Sequence, residues 1–345
     1  MNYLHPDHAE WTAPESSVPD RRGQWTKRRV RMEKTLDFNS PLKPRSHLAM
    51  KARAWLRTVG SLATHPFKFQ GVHEFLISRA KNLDFVSHEI FFAGLPPSFD
   101  GYRIIHISDP HFDSLPGLEN SIGARLDGVR ADMVVITGDF VDQVESPISD
   151  LTRALRRVLT AVRSQDGVIA TLGNHDSWRI VDPLEALGVR VLTDESITIR
   201  RRSDQIAFTG TDDPSFYYGP ALEHALRTSP DLFKIALVHS PELADVAADT
   251  GFSLYLTGHT HGGQVCWPNG RPVWTPLHKY KDFSHGLWTF GDMAGYTNAG
   301  AGVSGLPWRL FRRGEIALIT LRRHPISESE TRATPISLGP YPEVR

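Results

Sequence analysis

The chain has 345 residues, 40% of them hydrophobic and 23% charged, with 39 Lys/Arg against 39 Asp/Glu. That composition fits a soluble globular protein, one large domain with an appendage or two domains, and argues against both a wholly basic nucleic-acid binder and an acidic disordered solvator. A single cysteine, Cys266, excludes an intramolecular disulfide and points to a reducing compartment, and no apolar run reaches the roughly 18 residues of a spanning helix. The first residues show neither a charged n-region nor an apolar h-region, so the cytoplasm is the expected location.

The zero net charge hides an asymmetry, because residues 1–60 hold 12 Lys/Arg against 6 Asp/Glu. Residues 1–46, rich in Pro, Ser and Arg with little periodicity, read as a basic, flexible arm. The pair Arg21-Arg22 is not an export signal, since Glu33-Lys34-Thr35-Leu36-Asp37 is no apolar h-region. Residues 47–83 read as an amphipathic helical segment: Leu48, Ala52, Trp55, Leu56 and Val59 recur at helical spacing among Arg45, Lys51, Arg53 and Arg57. Over residues 45–63 such a helix either docks its apolar stripe on the main domain or lies peripherally on an anionic membrane. Nucleic acid is disfavoured, because no aromatic stacking platform accompanies the charges.

From residue 84 short β-branched runs recur, at 85–92, 103–108, 133–137, 168–172, 205–209, 234–238, 254–257 and 315–321. Helical patterns lie between them at 118–129, 149–163, 183–187 and 241–248, the last with Ser240 as N-cap and Pro241 at the first helical position. Strands alternating with helices predict a layered α/β domain over residues 84–322, and near-continuous apolar strands predict sheets covered on both faces. Residues 323–345 form a tail.

Five strands run into polar clusters: Asp109-Pro110-His111, Gly138-Asp139-Phe140-Val141-Asp142, Gly173-Asn174-His175-Asp176, His239-Ser240 and Gly258-His259-Thr260-His261. Ligands collect at the carboxyl ends of strands in α/β sheets, so these turns are expected to converge on one crevice. Oxygen and nitrogen donors without thiolate suit Mn, Fe, Co or Zn, and seven or eight of them exceed what one ion needs. Two divalent ions sharing a carboxylate would use the set well, in the geometry of in-line displacement at phosphorus. His106 and Asp113 read as satisfied neighbours rather than ligands.

The ordered blocks Asp-x-His, Gly-Asp-x-x-Asp, Gly-Asn-His-Asp, His and Gly-His-x-His resemble the calcineurin-like metallophosphoesterase family over about two thirds of the chain. The resemblance implies a four-layer α/β/β/α sandwich of two mixed sheets. It implies that Asp109, His111 and His261 bind a first metal, that Asn174, His239 and His259 bind a second, and that Asp139 bridges both opposite a nucleophilic hydroxide. His175 would protonate the leaving oxygen, and Asp142 would orient His175 by a hydrogen bond. Asp176 would be a local structural acceptor.

Within the family, Phe140-Val141-Asp142 lacks the tyrosine of purple acid phosphatases, and Gln143-Val144 with Asp176 departs from protein Ser/Thr phosphatases. Leu95-Pro96, Thr209-Gly210-Thr211-Asp212-Asp213-Pro214 and Leu306-Pro307-Trp308-Arg309 resemble the bacterial YkuE/YaeI-like phosphodiesterase branch. That branch resembles enzymes cleaving the pyrophosphate of UDP-2,3-diacylglucosamine, so an amphiphilic phosphodiester or pyrophosphate is the expected substrate class. A soluble diesterase for a cyclic nucleotide or small diester, and a non-catalytic scaffold, are the alternatives. Trp267, Trp274, Tyr280, Phe283 and Trp288 either line an acyl or nucleobase pocket or cover the sheet edge. Arg309, Arg312 and Arg313 either bind a second phosphate or form a solvated face.

Overall fold

The computed structural model describes residues 20–35 and 70–324. Its α-helices are α1 (Arg21–Thr35), α2 (Gln70–Lys81), α3 (Leu118–Leu126), α4 (Ile148–Ala161), α5 (Val181–Glu185), α6 (Pro220–Arg227) and α7 (Ala244–Asp249). One six-stranded sheet runs in the order β1 (Asp84–Phe92), β14 (Glu315–Arg323), β2 (Arg103–Ile107), β4 (Met133–Thr137), β6 (Val168–Thr171) and β7 (Val189–Val191). In it β2, β4, β6 and β7 are parallel, and β14 runs antiparallel to β2.

The other six-stranded sheet runs β12 (Gly286–Phe290), β13 (Met293–Thr297), β11 (Leu254–Thr257), β10 (Phe233–Leu237), β9 (Asp204–Gly210) and β8 (Glu195–Arg201). Its four central strands are parallel and both edges antiparallel. A short pair, β3 (Arg130–Ala131) with β5 (Arg163–Ser164), stands apart.

Side-chain alternation explains the layering. On one face of the first sheet Ile105, Val134 and Ile136 pack against Leu118, Ile122 and Leu126 of α3 and Leu151, Leu155 and Val158 of α4. Their strand neighbours Ile104, Met133 and Val135 point the other way and interdigitate with Phe208, Ile235 and Leu254 of the second sheet. The outer face of that sheet sets Ala236 and Tyr255 against Leu222 and Leu226 of α6 and Ala244 and Ala247 of α7. Each buried leucine or isoleucine contributes roughly 1.5–3 kcal/mol. The result is the expected four-layer α/β/β/α sandwich of two mixed sheets.

Boundaries differ by a few residues, and one expectation fails outright. Residues 21–35, expected in a flexible arm, form helix α1, with Trp25 and Arg29 buried. The reason is electrostatic. Trp25 Nε1 donates to Asp212 at 2.9 Å, Arg28 pairs with Asp194 at 2.5 Å, and Arg22 pairs with Glu185 at 2.6 Å. The basic excess therefore complements acidic groups of the sandwich. The amphipathic stretch 45–63 lies outside the described residues, as does the tail from 325. Ser240 precedes Pro241 as expected, but its hydroxyl makes no capping bond.

Candidate metal centre

Because β2, β4 and β6 are parallel neighbours and β10 and β11 are too, their carboxyl ends open on one side of the sandwich. Asp109 and His111 follow β2, Asp139 and Asp142 follow β4, Asn174 and His175 follow β6, His239 follows β10, and His259 and His261 follow β11. Five of these residues leave their strands with left-handed φ: Asp109 at 49°, His111 at 38°, Asp139 at 54°, His259 at 68° and His261 at 52°. Such conformations store about 1–3 kcal/mol each and persist only where the surroundings hold them. Close glycines enforce the turns. A Cβ on Gly173 would strike Asp139, and one on Gly258 would strike Ser108 and Asp109.

The side chains converge in two sets. In one, His111 Nε2 lies 3.2 Å from His261 Nε2 and 3.6 Å from Asp139 Oδ2, while His261 Nε2 is 3.5 Å from Asp109 Oδ1. In the other, His239 Nε2 lies 3.2 Å from each of Asp139 Oδ2, Asn174 Oδ1 and His259 Nδ1. Asp139 Oδ2 thus belongs to both. All seven residues expected as ligands are brought together.

The donor chemistry fits cations. Thr137 carbonyl accepts from His239 Nδ1 at 2.7 Å, so that nitrogen carries the hydrogen and Nε2 turns its lone pair toward the other three donors. Burial pushes His259 down to about 3, with His239 adding to the effect, and burial with His111 and Arg309 holds His261 well below its ordinary value. Burial also lowers His111, so all three are neutral donors near pH 7. Burial resists ionisation of Asp139, yet His239, His175 and His111 hold it well below the usual carboxylate range. Burial likewise opposes charge on His239, but Asp139 and Asp109 carry it well above the usual imidazole value. A proton and a cation therefore compete for this cluster.

The structure brings two corrections and one addition. Asp142 contacts His175 through its main chain: His175 Nδ1 donates to the Asp142 carbonyl at 2.8 Å. The Asp142 carboxylate instead accepts from Gln143 Nε2 at 2.7 Å and stands 3.8 Å from His111 Nδ1. The Asp142 carboxylate stays near His175, within 4.8 Å of a ring nitrogen, but the hydrogen bond goes to the carbonyl. Arg309, expected as a phosphate binder or part of a solvated face, is neither: it is buried and donates to the carbonyls of His261, Ala299, Gly300 and Gly302.

The addition is the extent of Asp176's role. Its carboxylate accepts from the amides of Asp139, Phe140 and Gly173, which welds the second block to the third. Asp113 is a satisfied neighbour, bonded to the amides of Asp142 and Gln143, whereas His106 bonds Thr137 through Nε2 and leaves its buried Nδ1 without a partner among the described residues. Of the aromatic cluster, Trp288 is buried and stacked on Phe283 at 4.2 Å, whereas Trp267 is 60% exposed.

Residues 102–263, which include all nine residues above, match the calcineurin-like phosphoesterase family. This is a calcineurin-like phosphoesterase domain. The chain is 29% identical over 252 residues to the uncharacterized metallophosphoesterase YkuE of Bacillus subtilis, covering 70% of this chain and 86% of that protein. It is 27% identical over 233 residues to the phosphodiesterase YaeI of Escherichia coli, covering 64% of this chain and 82% of YaeI. It is also 30% identical over 256 residues to a Bos taurus transmembrane protein with metallophosphoesterase domain, covering 67% of this chain and 55% of that protein. Among the described residues here, no helix is long and apolar enough to cross a membrane. The calcineurin-like phosphoesterase domain makes the chain a phosphoester hydrolase with candidate metal-ligand clusters.

Proposed function

We propose that this phosphoesterase domain binds two divalent cations and hydrolyses a phosphodiester or pyrophosphate. The observation that carries the reading is Asp139 Oδ2, within 3.6 Å of His111 Nε2 and 3.2 Å of His239 Nε2, shared by two sets of imidazole and oxygen donors. Asp109, His111, His261 and Asp139 would hold one cation, and Asp139, Asn174, His239 and His259 the other. Mn, Fe, Zn and Co all suit these donors. When bound, the ions supply Lewis-acid polarisation of the phosphoryl group and an activated water.

The chain's own residues do the rest. His175, with its Nδ1 hydrogen committed to the Asp142 carbonyl, turns Nε2 away from that bond, where it can hand a proton to the leaving oxygen. Thr137 fixes the tautomer of His239, and Asp176 fixes the turn that aims Asp139.

A diester or pyrophosphate is favoured because YaeI is named a phosphodiesterase. An amphiphilic one, of the UDP-2,3-diacylglucosamine type, is favoured over a small soluble diester by exposed apolar side chains beside the His261 loop. Trp267, Leu310 and Phe311 are 60%, 38% and 54% exposed, and Cys266 N donates to the Leu310 carbonyl.

The test is turnover of bis(p-nitrophenyl) phosphate beside p-nitrophenyl phosphate with Mn, Co, Zn, Mg or EDTA, with Asp139→Asn as control. Metal-dependent cleavage of the diester, lost on substitution, is expected. Two bound ions with no turnover of either ester or of UDP-diacylglucosamine would overturn it. Presenting the diester on anionic vesicles should raise turnover, and equal rates in solution and on vesicles would favour the small soluble diester.

A further inference from the structure

Helix α1 lies outside residues 102–263, the part that matches the family, yet one of its side chains reaches the loop that carries Asn174 and His175. Arg29 is fully buried. One guanidinium nitrogen pairs with Asp212, and the other donates to the carbonyl of Gly173 at 2.8 Å and to that of Asp176 at 2.5 Å. These two carbonyls are the first and last of the Gly173-Asn174-His175-Asp176 turn. The guanidinium also stacks 3.3 Å from the centre of the Tyr217 ring.

Asp212 and Tyr217 belong to the loop after β9, which on its other side sets Ser215 Oγ 3.4 Å from His259 Nε2. One planar, five-donor group therefore joins the two loops that flank the Asp139, Asn174, His239 and His259 set. The rest of α1 holds the clamp in place. Trp25 Nε1 donates to the second oxygen of Asp212 at 2.9 Å. Glu33, one turn on from Arg29, accepts from Ser177 Oγ and from the Trp178 amide, each at 2.9 Å, just past the same turn.

We infer that Arg29 is a positioning residue for the phosphoesterase centre, and that helix α1 completes that centre by clamping the Asn174-His175 turn to the loop carrying Asp212, Asp213 and Ser215. It touches neither substrate nor reacting atoms. Lysine cannot replace it, because a single ammonium lacks the fork that spans two carbonyls and a carboxylate. This rests on the metallophosphoesterase reading for its kinetic consequence only; the clamp itself is independent of it.

The experiment uses the full chain with Arg29→Lys and Arg29→Met, and with Arg22→Gln, which breaks the α1 pair with Glu185 but touches neither loop. Two quantities are read: kcat and KM for bis(p-nitrophenyl) phosphate with Mn, and amide hydrogen exchange over residues 173–178. Both Arg29 variants should lose about 100-fold in kcat with KM within about threefold, since small misplacement of reacting groups has that effect. Exchange at 173–178 should quicken in both, while Arg22→Gln keeps native values for each. Folded Arg29→Lys with native kcat and native exchange would overturn the inference. Absence of turnover in the unsubstituted protein would overturn the functional reading instead, and exchange alone would then decide the clamp.

Discussion

Asp176 offers a test of how the site is built, because three amides end on it. Asp139 and Gly173 N–H donate to Oδ2 and Phe140 N–H to Oδ1, each at 2.8 Å, and Asp176 itself is fully buried. Burial, with help from Asp139, pushes its pKa up to about 6, so the group is an anion at about pH 8. Asp176→Asn keeps the shape but offers one acceptor oxygen. With that oxygen on the Asp139 and Gly173 amides, the new NH2 faces the Phe140 N–H, donor against donor.

A buried donor without a partner costs about 1–3 kcal/mol, and turning two charge-assisted bonds into neutral ones adds about 1 kcal/mol. The expected loss is about 2–4 kcal/mol, a large share of the roughly 5–15 kcal/mol that holds an ordinary domain. Asp113→Asn is the matched control. Asp113 also accepts two amides and a hydroxyl, from Asp142, Gln143 and Ser146, but it is exposed and water can take over its bonds. Urea unfolding at about pH 8 should therefore show Asp176→Asn destabilised by several times more than Asp113→Asn. Equal losses would refute the idea that burial of this turn, rather than its bond count, fixes Asp139.

Other consequences are as direct. His175→Ala should lower kcat by about 10²–10⁴-fold with bound metal unchanged, as measured by elemental analysis; loss of metal would make His175 a ligand, alongside His111 and Asp142. Gly258→Ala, whose new Cβ would press on Ser108 and Asp109, should bind one cation weakly or not at all in calorimetric titration while its far-ultraviolet dichroism stays native. Glu315 is buried, which opposes its charge, but His285, the Tyr296 hydroxyl and the Ala299 amide hold it down to about 2 from 4.5. A carboxylate depressed in the folded state contributes stability above its unfolded pKa and loses it as the pH falls through the folded one. About 3 kcal/mol should therefore disappear between about pH 5 and pH 2. Glu315→Gln should flatten that part of the thermal-stability curve, and parallel curves for the two proteins would contradict the assignment.

The sequence alone determined a layered α/β domain and the gathering of the site, because both depend on local patterns, while the four-layer arrangement came with the family resemblance. Runs such as 133–136, apolar at every position, only suit strands covered on both faces, and the polar residues after Ile107, Thr137, Thr171, Leu237 and Thr257 had to emerge at strand ends. Edge strands were less legible: β8 and β12 carry Arg200, Arg201, Gly286 and Thr289, so their apolar signal is half strength.

Only the tertiary structure decided which partner each charged side chain takes. Nothing around Asp142 in the chain shows that its carbonyl, not its carboxylate, meets His175. Nothing around Arg309 shows that it turns inward to four carbonyls. Arg29 lies 183 residues from Asp212, and residues 21–35 have no apolar stripe to announce that they fold at all. Periodicity records where apolar area is buried; an ion pair formed across such a separation leaves no period, and only the folded chain brings its two ends together.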